Sequence, residues 1–276
     1  TFAANLWNIG VEGQITMGAV FCQGLLRLAD PAGGLPPALD MAIALVAAAA
    51  GGATWALAAG VLRTHGRVHE IFSGLGLNFV AMGVSLWLIL GPWKRPGMAS
   101  MSGTAPLPVV WHLPGWGLRP LSLVGLLVAV AAFGGVVWLL GRTFFGLTLA
   151  AVRQNPVAAE RLGLRPRLRM LAAMALGGSL AGLTGGLLVI GLYHRLIPSI
   201  SGNYGYTAIL AVLLAGQRLS VLPVACLFFA VLTVGAIQLP MVLSLDSSLA
   251  GVIQGVLVLA LFAARSVWPN ALRRAP

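Results

Sequence analysis

Long apolar runs separated by short polar segments dominate this chain, and their lengths predict membrane-spanning helices. The first apolar run extends from Asn5 to about Leu26 and is interrupted by the single acid Glu12. A helix needs about 20 predominantly apolar residues to cross the hydrocarbon core of a bilayer. The uncharged runs span 41–62, 71–93, 120–141, 170–194, 196–217, 219–245 and 247–264. The pattern therefore predicts an all-α integral membrane protein, a polytopic helical bundle of about eight membrane segments.

One of these segments, 196–217, does not have the composition of a continuous helix. It contains Pro198, Gly202 and Gly205 together with several polar residues. Proline and glycine interrupt helices, so only about 206–217 retains a helical pattern. We therefore expect a short or broken helix at this position.

The composition agrees with a membrane protein and excludes several other classes. Of the 276 residues, 59% are hydrophobic and 8% are charged, whereas a soluble domain carries about 25% charged residues. The net charge of +11 reflects a shortage of acids, 6 against 17 basic residues. A soluble protein and a disordered chain are both excluded, and nothing here favours a nucleic-acid partner.

The basic residues also predict how the chain is oriented. Lys and Arg accumulate in the cytoplasmic loops of membrane proteins. If the basic loop 142–169 is cytoplasmic, the basic residues left outside are Arg27, Lys94, Arg95, Arg119 and Arg195, while all others, including the C-terminal arginines, lie inside. This distribution predicts a cytoplasmic C-terminus.

Polar side chains at membrane depth are the candidates for lining a translocation path. Asn5, Asn8 and Glu12 are spaced three and four residues apart, so they share one face of the opening helix. A carboxylate at this depth costs several kcal/mol unless it faces protein or water. Glu12 could line a permeation path, or it could cap a broken helix and pair with backbone donors, and both interpretations remain open. The complete set of path candidates is Asn8, Glu12, Gln14, Asn78 and Gln254.

The basic loop 142–169 contains the signals of a short helix. Asn155 and Pro156 are typical of a helix start, and Gly163 is typical of a helix end. The sequence thus predicts a helix at about 156–162. Taken alone, such an amphipathic element could simply lie among lipid headgroups.

Two further segments have packing interpretations. Gly178, Gly182 and Gly186 recur every four residues and form a face that allows another helix to approach closely. The segment 93–119 is rich in Trp and Pro, which indicates an external loop that either contacts a partner or covers the bundle.

Motifs for catalysis or metal binding are missing. Lys94 is the only lysine and is followed by Arg95, so the chain lacks the Lys-Ser/Thr end of a phosphate-binding loop. His69 and Glu70 begin like a zinc-protease motif, but Ser73 occupies the position of the second histidine. We therefore predict no catalytic residues and no metal site, and we expect a transporter subunit or a scaffold rather than an enzyme.

Several strings resemble a known family. NIGVEGQITMGA, GLGLNFVAMGV, GPWKRP, RTFFGLTLAAVRQNPVAAERLGL and VIQGVLVLALFAA occur in this order along the chain. They are similar to permease subunits of ABC importers of the nucleoside and simple-sugar type, which are related to the branched-chain amino acid and ribose permeases. The chain resembles most the first of the two paired permeases in bacterial nucleoside importers.

The resemblance implies an architecture and a set of partners. It implies one transmembrane permease domain over 1–276, preceded in the family by one or two further helices, with 142–169 as a cytoplasmic coupling loop. The expected partners are a second, different permease, a cytoplasmic ABC ATPase that carries the ATP and Mg, and an extracytoplasmic solute-binding protein or lipoprotein. This chain would bind no cofactor itself and would lie in the bacterial plasma membrane. The residues expected to couple to the ATPase are Arg153, Asn155, Pro156, Ala159, Glu160, Arg161 and Gly163.

The expected function is transport of nucleosides or a related small polar solute by alternating access. The alternative is an ion- or proton-coupled secondary transporter, which needs an intramembrane relay. Glu12 is the only acid well inside a predicted span, and this argues against that alternative. A membrane scaffold is favoured only by the glycine faces.

Overall fold

The computed structural model describes residues 1–30, 34–66, 68–95, 97, 102–115 and 122–243, and isolated positions between 252 and 263. The described segments form helices joined by loops. The α-helices are α1 (Val11–Leu28), α2 (Pro37–Thr64), α3 (Glu70–Leu90), α4 (Leu123–Arg142), α5 (Phe144–Gln154), α6 (Pro156–Arg161), α7 (Pro166–Leu187), α8 (Tyr204–Leu214) and α9 (Leu222–Leu243). A π-helical turn, Leu188–Tyr193, extends α7.

The helices confirm the predicted class of polytopic membrane protein. Within the described residues, four helical stretches are long and apolar enough to cross a membrane, namely Pro37–Thr64, Glu70–Leu90, Leu123–Arg142 and Pro166–Tyr193. Shorter apolar helices cover Tyr204–Leu214 and Leu222–Gly235. The interrupted run 196–217 therefore forms the short helix α8. The last predicted run, 247–264, lies almost entirely outside the described residues.

The opening helix starts later than the apolar run predicted. Phe2–Ala4 form a 3-10 turn, Asn5 is left-handed with φ 57°, and α1 begins only at Val11. Within this break the Asn8 side chain bonds to the Gln14 side chain, and the Ile9 carbonyl accepts from Asn78 Nδ2. This break places Glu12 in the first turn of α1.

Close packing of α1, α2 and α7 forms the centre of the first part of the chain. Gly178, Gly182 and Gly186 of α7 all face α2: a methyl group on Gly182 would overlap the Ala48 carbonyl, and one on Gly186 would lie 2.7 Å from Ala48 Cβ. In a bilayer, such approach of small residues supplies the dispersion contacts that hold helices together. The glycine face thus sets the distance between α2 and α7.

The chain divides into two compact units, 1–206 and 207–276. The first contains the bundle just described. In the second, a buried cluster forms from Ala211, Ala215, Ala225, Phe229 and Val258.

The loop of residues 102–115 is held against the segment that follows the π turn. The backbone N–H groups of Thr104, Leu107 and Leu113 donate to the carbonyls of Leu196, His194 and Ile190 at 2.7–3.0 Å. Trp111 Nε1 donates to the buried carboxylate of Asp40 at 3.2 Å. Part of the Trp- and Pro-rich segment therefore covers the end of the bundle.

Two histidines stack within this contact. The rings of His112 and His194 lie 3.7 Å apart between centroids, at an interplanar angle of 14°. His112 Nε2 is 3.0 Å from the Leu107 carbonyl oxygen, so the ring of the loop is fixed in place. Burial lowers the pKa of His194, and the neighbouring His112 lowers it further.

We expect acidification to loosen the loop of residues 102–115. Because the pKa of His194 in the folded protein lies below its ordinary value of 6.5, the unfolded form binds more protons between the two values. The contribution of neutral His194 to the stability of the folded protein is therefore present above pH 6.5 and is lost as the pH falls through the lowered pKa. Amide hydrogen exchange of 104–113, measured between pH 7.5 and 5 with correction for intrinsic rates, should lose protection on acidification. A His194→Phe variant, which keeps a stacking ring without a titrating group, should show no such change.

Candidate functional site

A polar cavity of about 200 Å³ lies between α1, α3 and the segment 199–206. One face of α3 supplies Leu75, Phe79 and Met82 to its wall, and these residues recur with helical spacing. The polar residues of the lining are Glu12, Thr16, Asn78, Ser85, Ser199, Ser201, Asn203 and Tyr206. The cavity thus combines apolar surface with many neutral hydrogen-bonding groups.

Glu12 holds the first turn of α8. Its Oε1 accepts hydrogen bonds from the backbone N–H groups of Gly205 at 2.6 Å and Tyr206 at 3.1 Å. The first N–H groups of a helix lack partners within the helix, and a negative charge there is stabilised by the helix dipole. The side chain is 7% exposed, so these donors replace the water that it loses. This geometry agrees with the interpretation that Glu12 caps a helix and pairs with backbone donors. The residue also lines the cavity.

Asn78 connects three parts of the cavity wall. Its Oδ1 accepts from Gly13 N at 2.8 Å. Its Nδ2 donates to the Ile9 carbonyl at 3.0 Å and to the Tyr206 hydroxyl at 3.3 Å. Asn78 therefore satisfies the interrupted backbone before α1 and anchors Tyr206 at the same time.

The other path candidates lie elsewhere. Asn8 and Gln14 are buried and bond to each other reciprocally, Asn8 Nδ2 to Gln14 Oε1 at 2.9 Å and Gln14 Nε2 to Asn8 Oδ1 at 2.8 Å. Neither belongs to the cavity lining. Gln254 lies outside the described residues. Of the predicted path residues that the structure describes, Glu12 and Asn78 are the two that it brings together in the cavity wall.

Sequence reasoning missed the hydroxyl groups of the lining. The lining residues Ser199, Ser201, Asn203 and Tyr206 come from the interrupted run 196–217, where the polar pattern by itself predicts only a broken helix. A polar break within an apolar run is itself a signal, because irregular backbone at membrane depth occurs where it lines a cavity or is buried in protein. Ser85 lies among apolar neighbours near the end of α3, and the sequence around it carries no such signal.

The predicted coupling element is present as α6. The Asn155 side chain accepts from Val157 N and Ala158 N, both at 3.0 Å, and so caps the helix. Pro156 occupies the first helical position, and Gly163 follows the helix with φ 81°. The helix ends at Arg161, one residue before the predicted end.

The residues predicted to couple to the ATPase divide into one buried position and an exposed surface. Ala159 is 2% exposed and faces the protein. Two apolar side chains of the same short element point outward instead, with Val157 61% and Leu162 78% exposed. The remaining predicted coupling residues are exposed: Arg153, Asn155, Pro156, Glu160, Arg161 and Gly163. Apolar groups beside exposed charges are typical of a surface that contacts another protein.

The incomplete zinc-protease motif has a structural role. Glu70 is buried, receives the Trp7 N–H at 3.5 Å and pairs with Arg63 Nε at 2.8 Å, which ties the end of α2 to the start of α3. Within the described residues, no three His, Cys, Asp or Glu side chains come together as a metal site.

Comparison with known proteins gives a consistent result. Residues 1–262 match the family described as branched-chain amino acid transport system / permease component. A glucose ABC transporter permease of Haloferax volcanii is 33% identical over 94% of this chain and 69% of its own length. A guanosine ABC transporter permease of Bacillus subtilis is 24% identical over 94% of this chain and 74% of its own length. A nucleoside ABC transporter permease of Lactococcus lactis is 28% identical over 96% and 86%, respectively.

No solved structure matches the chain. The family match covers most of the sequence, and the relatives are permease proteins of ABC transporters. In such systems ATP is hydrolysed by a separate subunit, in keeping with the missing phosphate-binding loop. The chain therefore belongs to the branched-chain amino acid transport system permease component family and is a multi-pass membrane permease subunit of an ABC importer.

Proposed function

We propose that the cavity between α1, α3 and segment 199–206 forms this subunit's part of the translocation path for a neutral, small polar solute, a nucleoside or a sugar. The main support for this proposal is the composition of the lining, in which hydroxyl and amide groups surround an apolar and aromatic wall. An aromatic face suits a nucleobase or the apolar face of a sugar ring, and the hydroxyl and amide groups suit a ribose or a sugar. The named solutes of the relatives, guanosine, nucleosides and glucose, fit this chemistry.

The charge of the lining argues against anionic solutes. Glu12 is the charged residue of the cavity wall, and neither Lys nor Arg occurs among the lining residues. A solute carboxylate or phosphate is usually bound by a cationic group or by free backbone donors. Here the donors of the first turn of α8 already bind Glu12. We therefore expect neither amino acids nor phosphorylated sugars to be the transported solute.

The partners we propose follow from the relatives and from α6. Bacillus subtilis and Lactococcus lactis each hold two permeases that resemble this chain and share a named solute. This supports a pair of different permeases, to which we add an ABC ATPase, an external solute-binding protein and a cytoplasmic C-terminus. The capped helix α6, with Val157 and Leu162 exposed beside Glu160 and Arg161, would dock into a groove of the ATPase. Closure of the ATPase pair would then tilt the permease halves through α6.

The coupling role predicts the phenotype of a double variant. Glu160→Ala with Arg161→Ala removes two exposed charges while leaving buried Ala159 and the Asn155 cap in place. We expect normal membrane insertion but at least a tenfold loss of solute-stimulated ATP hydrolysis and uptake, about 1.4 kcal/mol of coupling free energy. The matched control is Arg167→Ala, an exposed arginine of the same loop outside α6. Normal stimulated ATPase activity in the double variant would contradict the assignment.

The proposed solute class is tested with the intact complex in proteoliposomes. ATP-dependent uptake of radiolabelled guanosine or glucose is expected, while leucine and glucose 6-phosphate should not accumulate. Uptake of leucine would overturn the neutral-solute proposal. Uptake that persists without ATP and follows an ion gradient would instead indicate a secondary transporter.

A further inference from the structure

The buried hydroxyl of Ser85, in the cavity wall, has no hydrogen-bond partner. Ser85 is 2% exposed, lies on the cavity-lining face of α3, and its Oγ makes no hydrogen bond in the structure. Buried serine hydroxyls in helices usually bond to a carbonyl of the preceding turn. Ser73 of the same helix does so, donating to Glu70 O at 3.2 Å. A buried polar group without a partner is destabilising, so Ser85 gains from a hydrogen-bonding group that reaches it.

Three of the neighbouring polar residues, Asn78, Thr16 and Glu12, already form hydrogen bonds within the protein. Asn78 uses its amide oxygen and both amide protons on Gly13, Ile9 and Tyr206. Thr16 donates to the Glu12 carbonyl, and one oxygen of Glu12 accepts two backbone donors.

Tyr206 differs from these groups. Its hydroxyl accepts from Asn78 Nδ2, and a tyrosine hydroxyl that accepts a hydrogen bond still has its own proton to donate. Tyr206 therefore keeps a proton that it can donate, and the Ser85 hydroxyl can both donate and accept.

We infer that Ser85 and Tyr206 contact the transported solute directly, whereas Glu12 and Asn78 are positioning residues that hold the wall. This inference rests on the proposed path through the cavity and assigns roles within it. Tyr206 is anchored at Asn78, and Ser85 lies seven residues further along α3, about 10 Å of helix rise. Two separate polar groups of one nucleoside or sugar therefore make the two contacts, one accepting from the tyrosine and one exchanging a hydrogen bond with the serine. Ser85 thus selects for a hydroxyl-bearing solute, since an apolar analogue leaves its Oγ buried and unpaired.

The first experiment measures cysteine reactivity and needs no knowledge of the solute. Ser85→Cys and Ser73→Cys are made in a background with Cys22→Ala and Cys226→Ala, which removes both native cysteines. Each intact complex is treated with a small cationic methanethiosulfonate reagent during ATP turnover. Because Ser73 is buried in the same helix but is not part of the lining, it is the matched control. We expect the cysteine at 85 to react at least tenfold faster, and equal rates at the two positions would overturn the inference.

The second experiment measures uptake kinetics with guanosine and glucose as probes. Ser85→Ala should raise KM about tenfold for the transported probe with little change in the maximal rate. Ser85→Thr should restore much of the loss, Tyr206→Phe should also raise KM, and Ser73→Ala should resemble the wild type. An unchanged KM for Ser85→Ala overturns the inference while leaving the proposed function intact. If neither probe is transported, the proposed solutes fail, and the cysteine rates still decide whether Ser85 faces the path.

Discussion

Replacement of Glu12 by alanine is expected to abolish transport and to destabilise the subunit by about 3 kcal/mol. The change leaves the N–H groups of Gly205 and Tyr206 without their acceptor in a buried site. It also removes the carboxylate that holds segment 199–206 against α1. Glu12→Gln retains an amide oxygen in the same place, so it should preserve the cap and most of the uptake.

The comparison of these two variants separates a structural acid from a functional one. The measurements are ATP-dependent uptake by the assembled complex and the thermal unfolding midpoint of the detergent-solubilised protein. If Glu12→Gln assembles normally and retains transport, the negative charge is not required in the path. If it assembles normally but is as inactive as Glu12→Ala, the charge itself takes part in transport.

Alanine at Gly182 is expected to disrupt the packing of the first unit. A methyl group there would overlap the Ala48 carbonyl and lie 2.8 Å from Gly52 N, and both are backbone atoms that cannot turn aside. Overpacking of this kind costs about 1–3 kcal/mol, and in this helix it would push α7 away from α2. We expect a lower unfolding midpoint and a smaller yield of assembled complex.

The matched control is the same substitution at Gly134 in α4. A methyl group at that position meets no atom within 4 Å in the described structure. Since alanine favours helix over glycine by about 0.5–1 kcal/mol, Gly134→Ala should leave the unfolding midpoint unchanged or raise it slightly. Equal effects of the two substitutions would show that helix propensity, and not the α2–α7 approach, decides the outcome.

Features that depend on neighbours in sequence could be predicted well. The spans follow from the lengths of the apolar runs, and α6 follows from Asn155, Pro156 and Gly163. Capping and turn chemistry act over a few residues, so their signals are contained in a short stretch of sequence. The apolar run from Asn5 predicts an earlier start for α1 than Val11, because it does not reveal the break that the Asn8–Gln14 pair and the distant Asn78 stabilise.

The candidate site depends on such distant contacts. Asn78 meets Gly13 across 65 positions, and Glu12 meets Gly205 across 193. Spacing along one helix could place Glu12 on a polar face, but it could not identify the donors that Glu12 binds. The same limit applies to Ser85, whose role depends on which elements face α3 and not on the apolar residues around it in sequence.

The bond between Glu12 and the first turn of α8 has a consequence for biosynthesis. A ribosome adds about 5–20 residues per second, so the 193 positions between the two partners take roughly 10–40 s to make. During that interval α1 carries a carboxylate whose final donors do not yet exist, and lipid offers it no substitute. We therefore expect the nascent α1 to stay beside water or protein during this interval, so that its release into the bilayer follows the arrival of the segment that it caps.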